Sequence, residues 1–330
     1  GVTVIGPKPA QAPGLTDYSQ RDEDVKKLAD ALWSAEASGR VISDMTLDEI
    51  VQKDGLSPDV EFRDASPKAK FDWIHRRDGE SEIYFLSNQA RVAAAAEVVF
   101  RVSGKQPELW DAVTGRIRDL PDWRKEDGRT IVPLTFAPRE SYFVVFRNKA
   151  EAGSSKDAKN FPEQKPVAEI AGPWNVSFDP EWGGPESAVF EKLEDWTKRS
   201  EPGIRYYSGT ATYRKTFDLP ETSRRENTRI YLDLGRVKNL ATVRLNGKDL
   251  GVVWTAPWRI ELTGVVQSTG NRLEIDVVNL WPNRLIGDAA LPPEKRLTET
   301  NATAYKKDSP LLESGLLGPV TLKVEAGEQP

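Results

Sequence analysis

The chain has no cysteine, one histidine and one methionine in 330 residues. The missing cysteines exclude a disulfide scaffold, a thiolate zinc site and a cysteine nucleophile. A single histidine, His75, excludes a multi-histidine metal centre and leaves one base for any serine triad. No Gly-x-Ser-x-Gly elbow accompanies it. Ile74-His75-Arg76-Arg77 instead reads as structure or a domain interface. No apolar run approaches the roughly 18 residues of a membrane-spanning helix. Residues 1–60 contain six basic and eleven acidic residues and so carry the whole net charge of −5. The remainder, with forty of each, offers no basic field for a nucleic acid backbone. Neither a nucleic acid nor a membrane is therefore expected as a partner. The sequence begins at Gly1 and its methionine is Met45, so it is expected to start after processing or to be a piece of something longer.

What is present is enough apolar and aromatic material, 38% and 9%, for sizeable cores in two or three domains. Residues 1–62 read as a partial α/β segment. Val2–Ile5 suits a buried strand. Val25, Leu28, Ala29, Leu32 and Trp33 share a helical face, with Gly39 as a stop. Thr46-Leu-Asp-Glu49 is a capping box, Leu47, Ile50 and Val51 form a second stripe, and Gly55 ends it.

From there the period becomes two. Ser81–Ser87, Glu97–Val102 and Ser141–Arg147 predict a β-sandwich over 63–148. Residues 149–166 are polar and read as a linker. Over 167–330 strands return, with Asn246-Gly247 as a hairpin signal and Leu273, Ile275 and Val277 on one face. Their number and turn spacing suggest a jelly roll. The fold class is mainly β: a β-sandwich followed by a jelly-roll sandwich, with a short α/β N-terminal remnant.

Flat aromatic faces together with amides, carboxylates and guanidinium groups can form a ligand site. The last region holds six of the ten tryptophans. Trp254 and Trp258 bracket Thr255-Ala256-Pro257, a rim loop. Trp281-Pro282-Asn283-Arg284 follows a strand that the proline is expected to end, which would aim Asn283 and Arg284 at a ligand. The competing reading is an Arg284–Asp288 pair bracing the loop. Trp174, which opens a strand, reads as core. Trp182-Gly183-Gly184-Pro185 is a tight loop that either covers a sheet or admits a ligand. Tyr206 and Tyr207 are neighbours and would face opposite sides of a strand. Glu191, Glu194 and Asp195, at i, i+3 and i+4, would share a helical face, most simply a solvated one. Asp179, Asp276 and Asp288 are candidates for a structural calcium by residue type alone.

Four blocks carry a resemblance. They are Gly172-Pro-Trp174 through Trp182-Gly-Gly-Pro185, Tyr206-Tyr-Ser-Gly-Thr-Ala-Thr-Tyr213-Arg214, Leu245-Asn-Gly247 through Trp254-Thr-Ala-Pro-Trp258-Arg259, and Asn279-Leu-Trp-Pro-Asn-Arg284 through Gly287-Asp288. Together they resemble the sugar-binding, galactose-binding-like jelly roll of glycoside hydrolase family 2. They are still more similar to the C-terminal part of large alpha-L-rhamnosidases of family 106. Ile74–Arg77, Ile83–Asn88 and Pro107–Asp111 resemble the preceding sandwich, and Gly6–Pro9 the tail of an α/β region.

The resemblance implies catalytic carboxylates and calcium-assisted chemistry in an N-terminal barrel, which nothing here matches. It also implies a carbohydrate-binding accessory role, with an oligo- or polysaccharide and the missing catalytic domain as partners, in a secreted or periplasmic setting. Two other readings stay open: a structural brace for the barrel, and an enzyme with a site between the two sandwiches.

Overall fold

A computed structural model describes residues 3–34, 41–150, 158–223, 228–301 and 304–326. The N-terminal segment pairs Val4–Ile5 in parallel with Val41–Ile42, across the helix Tyr18–Leu32. Of the expected apolar face only Ala29 is buried; Leu28 and Leu32 lie exposed. The proposed stop at Gly39 falls outside the described residues. The capping box forms as expected: Thr46 N–H donates to Glu49 Oε2 at 2.7 Å, and Glu49 N–H donates to Thr46 Oγ1 at 3.3 Å. The helix it starts, Leu47–Lys53, buries Ile50.

The first sandwich has a four-stranded sheet in the spatial order Val60–Arg63, Ala94–Phe100, Arg129–Phe136, Arg124–Glu126. Facing it is a five-stranded sheet in the order Phe71–Asp78, Ser81–Asn88, Ser141–Lys149, Lys105–Trp110, Ile117–Asp119. Alternating side chains from both sheets meet in a core that includes Tyr84, Leu86, Val98, Phe100, Val132 and Phe146. Tyr84, Phe100 and Phe146 touch edge to face, with centroids 4.9–6.0 Å apart, the arrangement aromatic quadrupoles prefer. The first strand begins at Val60, earlier than its composition suggests, because Val60–Arg63 pairs with Glu97–Phe100.

The stretch expected to be a linker is partly packed. Asn160 is buried and clasps the first sandwich. Its Nδ2 donates to the carbonyls of Asp122 at 2.6 Å and Pro133 at 3.0 Å, and its Oδ1 accepts from Asp122 N–H at 2.9 Å. Phe161 lies beside Tyr142 and under the Arg118 guanidinium. The first strand of the second sandwich already starts at Gln164.

That sandwich sets a four-stranded sheet, ordered Gln164–Glu169, Thr321–Ala326, Thr228–Asp233, Arg259–Glu261, against a six-stranded one. The latter runs Ala188–Phe190, Trp174–Ser177, Thr210–Phe217, Asn271–Val278, Leu240–Leu245, Lys248–Val253. Leu273, Ile275 and Val277 face inward with Trp174, Trp196 and Tyr213. Trp196 Nε1 donates to Tyr213 Oη at 2.6 Å. The Asn246-Gly247 hairpin forms, with φ of 53° and 82°, the left-handed pair that a two-residue turn requires.

Candidate functional site

At one end of the six-stranded sheet a cavity of about 270 Å³ opens between two short turns. The first turn is Pro180–Trp182, a 3₁₀ helix. Asp179 caps it, accepting from Glu181 N–H at 2.9 Å. Gly183 follows at φ 77°. A Cβ there would lie 2.4 Å from Leu297, and one at Gly184 would lie 2.5 Å from Phe178. The two glycines therefore let the turn press onto the fold itself, and Trp182 is turned outward, 39% exposed.

The second turn is the start of the helix Pro282–Ala289, with Trp281 at its N-cap. Trp281 is 62% exposed. The two indoles meet edge to face, centroids 6.2 Å apart and planes at 89°. They form a perpendicular corner over a floor that includes Ser208, Gly209 and Asn279.

The floor is rigid because its polar groups are committed to the backbone. Asn279 Oδ1 accepts from Gly209 N–H at 2.9 Å. Its Nδ2 donates to Tyr207 O at 2.8 Å and Ser314 Oγ at 3.0 Å. Ser208 Oγ donates to Leu280 O at 2.9 Å and accepts from Arg284 N–H at 3.1 Å. Tyr207, fully buried, donates to Thr210 O at 2.9 Å and accepts from Asp179 N–H at 3.1 Å. Burial pushes its phenol above the ordinary value. Tyr206 and Tyr207 do not alternate along a strand. They follow the short helix Pro202–Arg205, which sends Tyr207 inward and leaves Tyr206 half-buried.

The expected rim residues divide. Trp281 is at the cavity. Trp254 is 55% exposed. Strand register places it on the same outer face: Thr210 pairs with Val278, Val278 with Leu240, and Ala241 with Val253. Trp254 thus sits beside Leu240, two strand spacings or about 10 Å from Val278. Trp258 is half-buried against the core, so it packs rather than projects.

Asn283 and Arg284 overturn the expectation of a rim loop: they are 1% and 5% exposed. Pro282 does not begin a loop. It occupies the first turn of a helix, where its fixed φ and missing N–H cost nothing, and that helix turns 283, 284, 287 and 288 inward. Asn283 holds Leu312 through both its amide atoms, at 2.7 and 2.8 Å. Arg284 pairs with Asp288 at 2.9 Å, the bracing alternative. Asp288 accepts from Thr298 N–H at 2.9 Å and Thr298 Oγ1 at 2.7 Å.

Other candidates resolve into structure. Residues 191–195 form no helix. Asp195 caps the 3₁₀ helix Trp196–Lys198, and Glu194 meets Arg199 at 3.1 Å. His75 lies between Asp59 at 2.7 Å and Glu82 at 2.9 Å, stacked on Tyr84. Asp179, Asp276 and Asp288 are not brought together, and among the described residues no group of three or more potential ligands could hold a metal.

In the sequence Trp182 stands in a tight loop that either covers a sheet or admits a ligand, and Asp179 is a calcium candidate by residue type alone. The signal for them is the Asp-Pro-Glu-Trp-Gly-Gly run, whose capped turn must expose its aromatic.

Comparison with known proteins relates these mostly β modules to glycoside hydrolases. Residues 1–124 match the alpha-L-rhamnosidase family model, and residues 193–307 match the galactose-binding domain-like model of glycosyl hydrolase 2. The structure is similar to that of a rhamnosidase from Novosphingobium sp. PP1Y, with a TM-score of 0.87 and 38% identity, over 98% of this chain and 31% of that one. A protein of Formosa agariphila, provisionally named a beta-glucuronidase, is 23% identical over 98% of this chain and 48% of its own length. The chain thus spans about a third of the one relative and about half of the other. It is similar to an alpha-L-rhamnosidase over nearly its whole length, and to a galactose-binding-like domain over residues 193–307.

Proposed function

We propose that this chain is the accessory, carbohydrate-binding portion of an alpha-L-rhamnosidase-like glycoside hydrolase acting on plant or microbial polysaccharide. The bond-breaking carboxylates would be supplied by a catalytic region outside it. The observation that carries this reading is the Trp182–Trp281 corner: two solvent-facing indoles fixed at right angles over a braced floor. Exposed aromatic faces take up the C–H face of a pyranose, and a floor that is already ordered loses little entropy on binding. A polymer of this kind is too large to enter a cell, so the work is assigned to a secreted or periplasmic setting.

Titration with rhamnose-containing oligosaccharides while following tryptophan fluorescence tests the reading. Saturable quenching at millimolar sugar is expected, with no turnover of aryl rhamnosides by this chain alone. Silence at millimolar sugar would favour the second reading, a brace for a neighbouring region. Specific surfaces suit that alternative: Tyr18, Leu28 and Leu32 on the N-terminal helix, and Trp73 and Ile74 on an edge strand, are all exposed.

A further inference from the structure

The cavity walls also carry information about charge. Of the residues lining the Trp182–Trp281 corner, Asp179 is the one carboxylate, and none is lysine, arginine or histidine. Asp179 Oδ1 is occupied by Glu181 N–H. Its second oxygen has no partner among the described residues, and the side chain is exposed at the rim. Glu181 and Glu186 lie exposed on the same loop. The guanidinium beneath Gly183, that of Arg284, is buried and paired with Asp288, so it offers no free charge to a ligand.

We propose that this corner is a subsite for one neutral pyranose and that it discriminates against uronic acids. The proposal rests on the carbohydrate-binding reading above and adds the class of sugar. One indole face would stack on the apolar side of the ring while the second closes its edge. The free Asp179 oxygen would accept from adjacent hydroxyls, a charge-assisted contact. A uronate places a second carboxylate in the same space and finds no cation to pair with. At about 5 Å in a water-like medium, that repulsion corresponds to roughly a fourfold loss of affinity.

The test uses the whole chain and ligand-observed NMR at pH 7, with neutral methyl hexopyranosides and methyl 6-deoxyhexopyranosides set against methyl glucuronide and methyl galacturonide. Neutral glycosides should bind about fourfold or more tightly than uronides. Trp281→Ala should weaken neutral binding by about fivefold. Trp182→Ala should do so in the same direction, and serves if the first variant folds poorly. Asp179→Asn keeps the helix cap and should bring the neutral-to-uronide ratio to within about twofold. Equal binding of uronides by the unaltered chain overturns the proposal. So does full neutral binding by both tryptophan variants. If sugar binding survives those variants but is lost in Trp254→Ala, the corner proposal falls and the carbohydrate-binding reading stands. If no glycoside or oligosaccharide binds at all, both fall.

Discussion

In the first sandwich, much of the charge is laid out on one sheet surface. Arg63 bridges Glu61 and Glu126, Arg124 grips Glu97 through two bonds, and Arg129 reaches Glu61. The first sandwich also buries Asn88, Glu108 and Thr130, but the second gathers four buried polar groups, Asn279, Asn283, Arg284 and Asp288, within one short segment. The difference follows from what each region holds. Surface pairs tie neighbouring strands and add little each. Buried groups fix loops, because a committed amide or ion pair under a low dielectric is costly to break. In the second region the stretches so fixed are Leu297–Thr298, held by Asp288, and Leu312–Ser314, held by Asn283 and Asn279.

The sharpest way to break this contrast is Asp288→Ala. It leaves the Arg284 charge buried without its partner and releases Leu297 and Thr298, so it should cost about 3–5 kcal/mol in urea unfolding and open the chain at Leu297–Thr298 to limited proteolysis. A cost below about 1 kcal/mol would mean that the buried pair is not what holds the loop.

Asn160→Ala probes the junction between the regions. Removing three bonds to buried backbone groups should destabilise the first sandwich by about 1–3 kcal/mol, while the second keeps its unfolding midpoint. An equal shift in both would show that they unfold as one unit.

Acid should test the surface pairs of the first sandwich. Hydrogen bonding to Arg124 holds Glu97 below its ordinary value of 4.5. Burial pushes Glu61 upward, but hydrogen bonds from Arg129 and Arg63 outweigh it and its carboxyl also lies lower. A folded-state pKa below the unfolded one gives stability that is present above about 4.5 and is lost as pH falls through the depressed values. The first sandwich should therefore lose melting temperature below that pH. High salt should weaken the effect, and a salt-independent profile would point to other groups.

The smallest effect is expected from Trp254→Ala. It should weaken binding of a tri- or tetrasaccharide by about two- to fivefold and leave a monosaccharide unaffected, since Trp254 lies two strand spacings, about 10 Å, from Val278 at the cavity wall.

Local rules made much of the fold legible. Leu273, Ile275 and Val277 alternate because one face is core, and Asn246-Gly247 turns because both residues tolerate positive φ. The site was half legible. Trp254 and Trp281 stand exposed, as a place at a rim requires. Asn283 and Arg284 do not, because a proline that ends a strand and a proline that starts a helix look alike in one sequence. Glu191, Glu194 and Asp195 have helical spacing, yet Asp195 caps a turn at Trp196 and Glu194 pairs with Arg199 beside it. The clasp of Asn160 was illegible for a different reason. Its three partners lie 27 and 38 residues away, and composition says nothing of such distances.

The pairing of Gln164 with Glu325 sets the first and last strands of the second sandwich side by side and antiparallel. The backbone therefore comes in and goes out at one edge, a single strand spacing apart. Neighbouring termini of this kind are the arrangement in which domain insertion and circular permutation are tolerated.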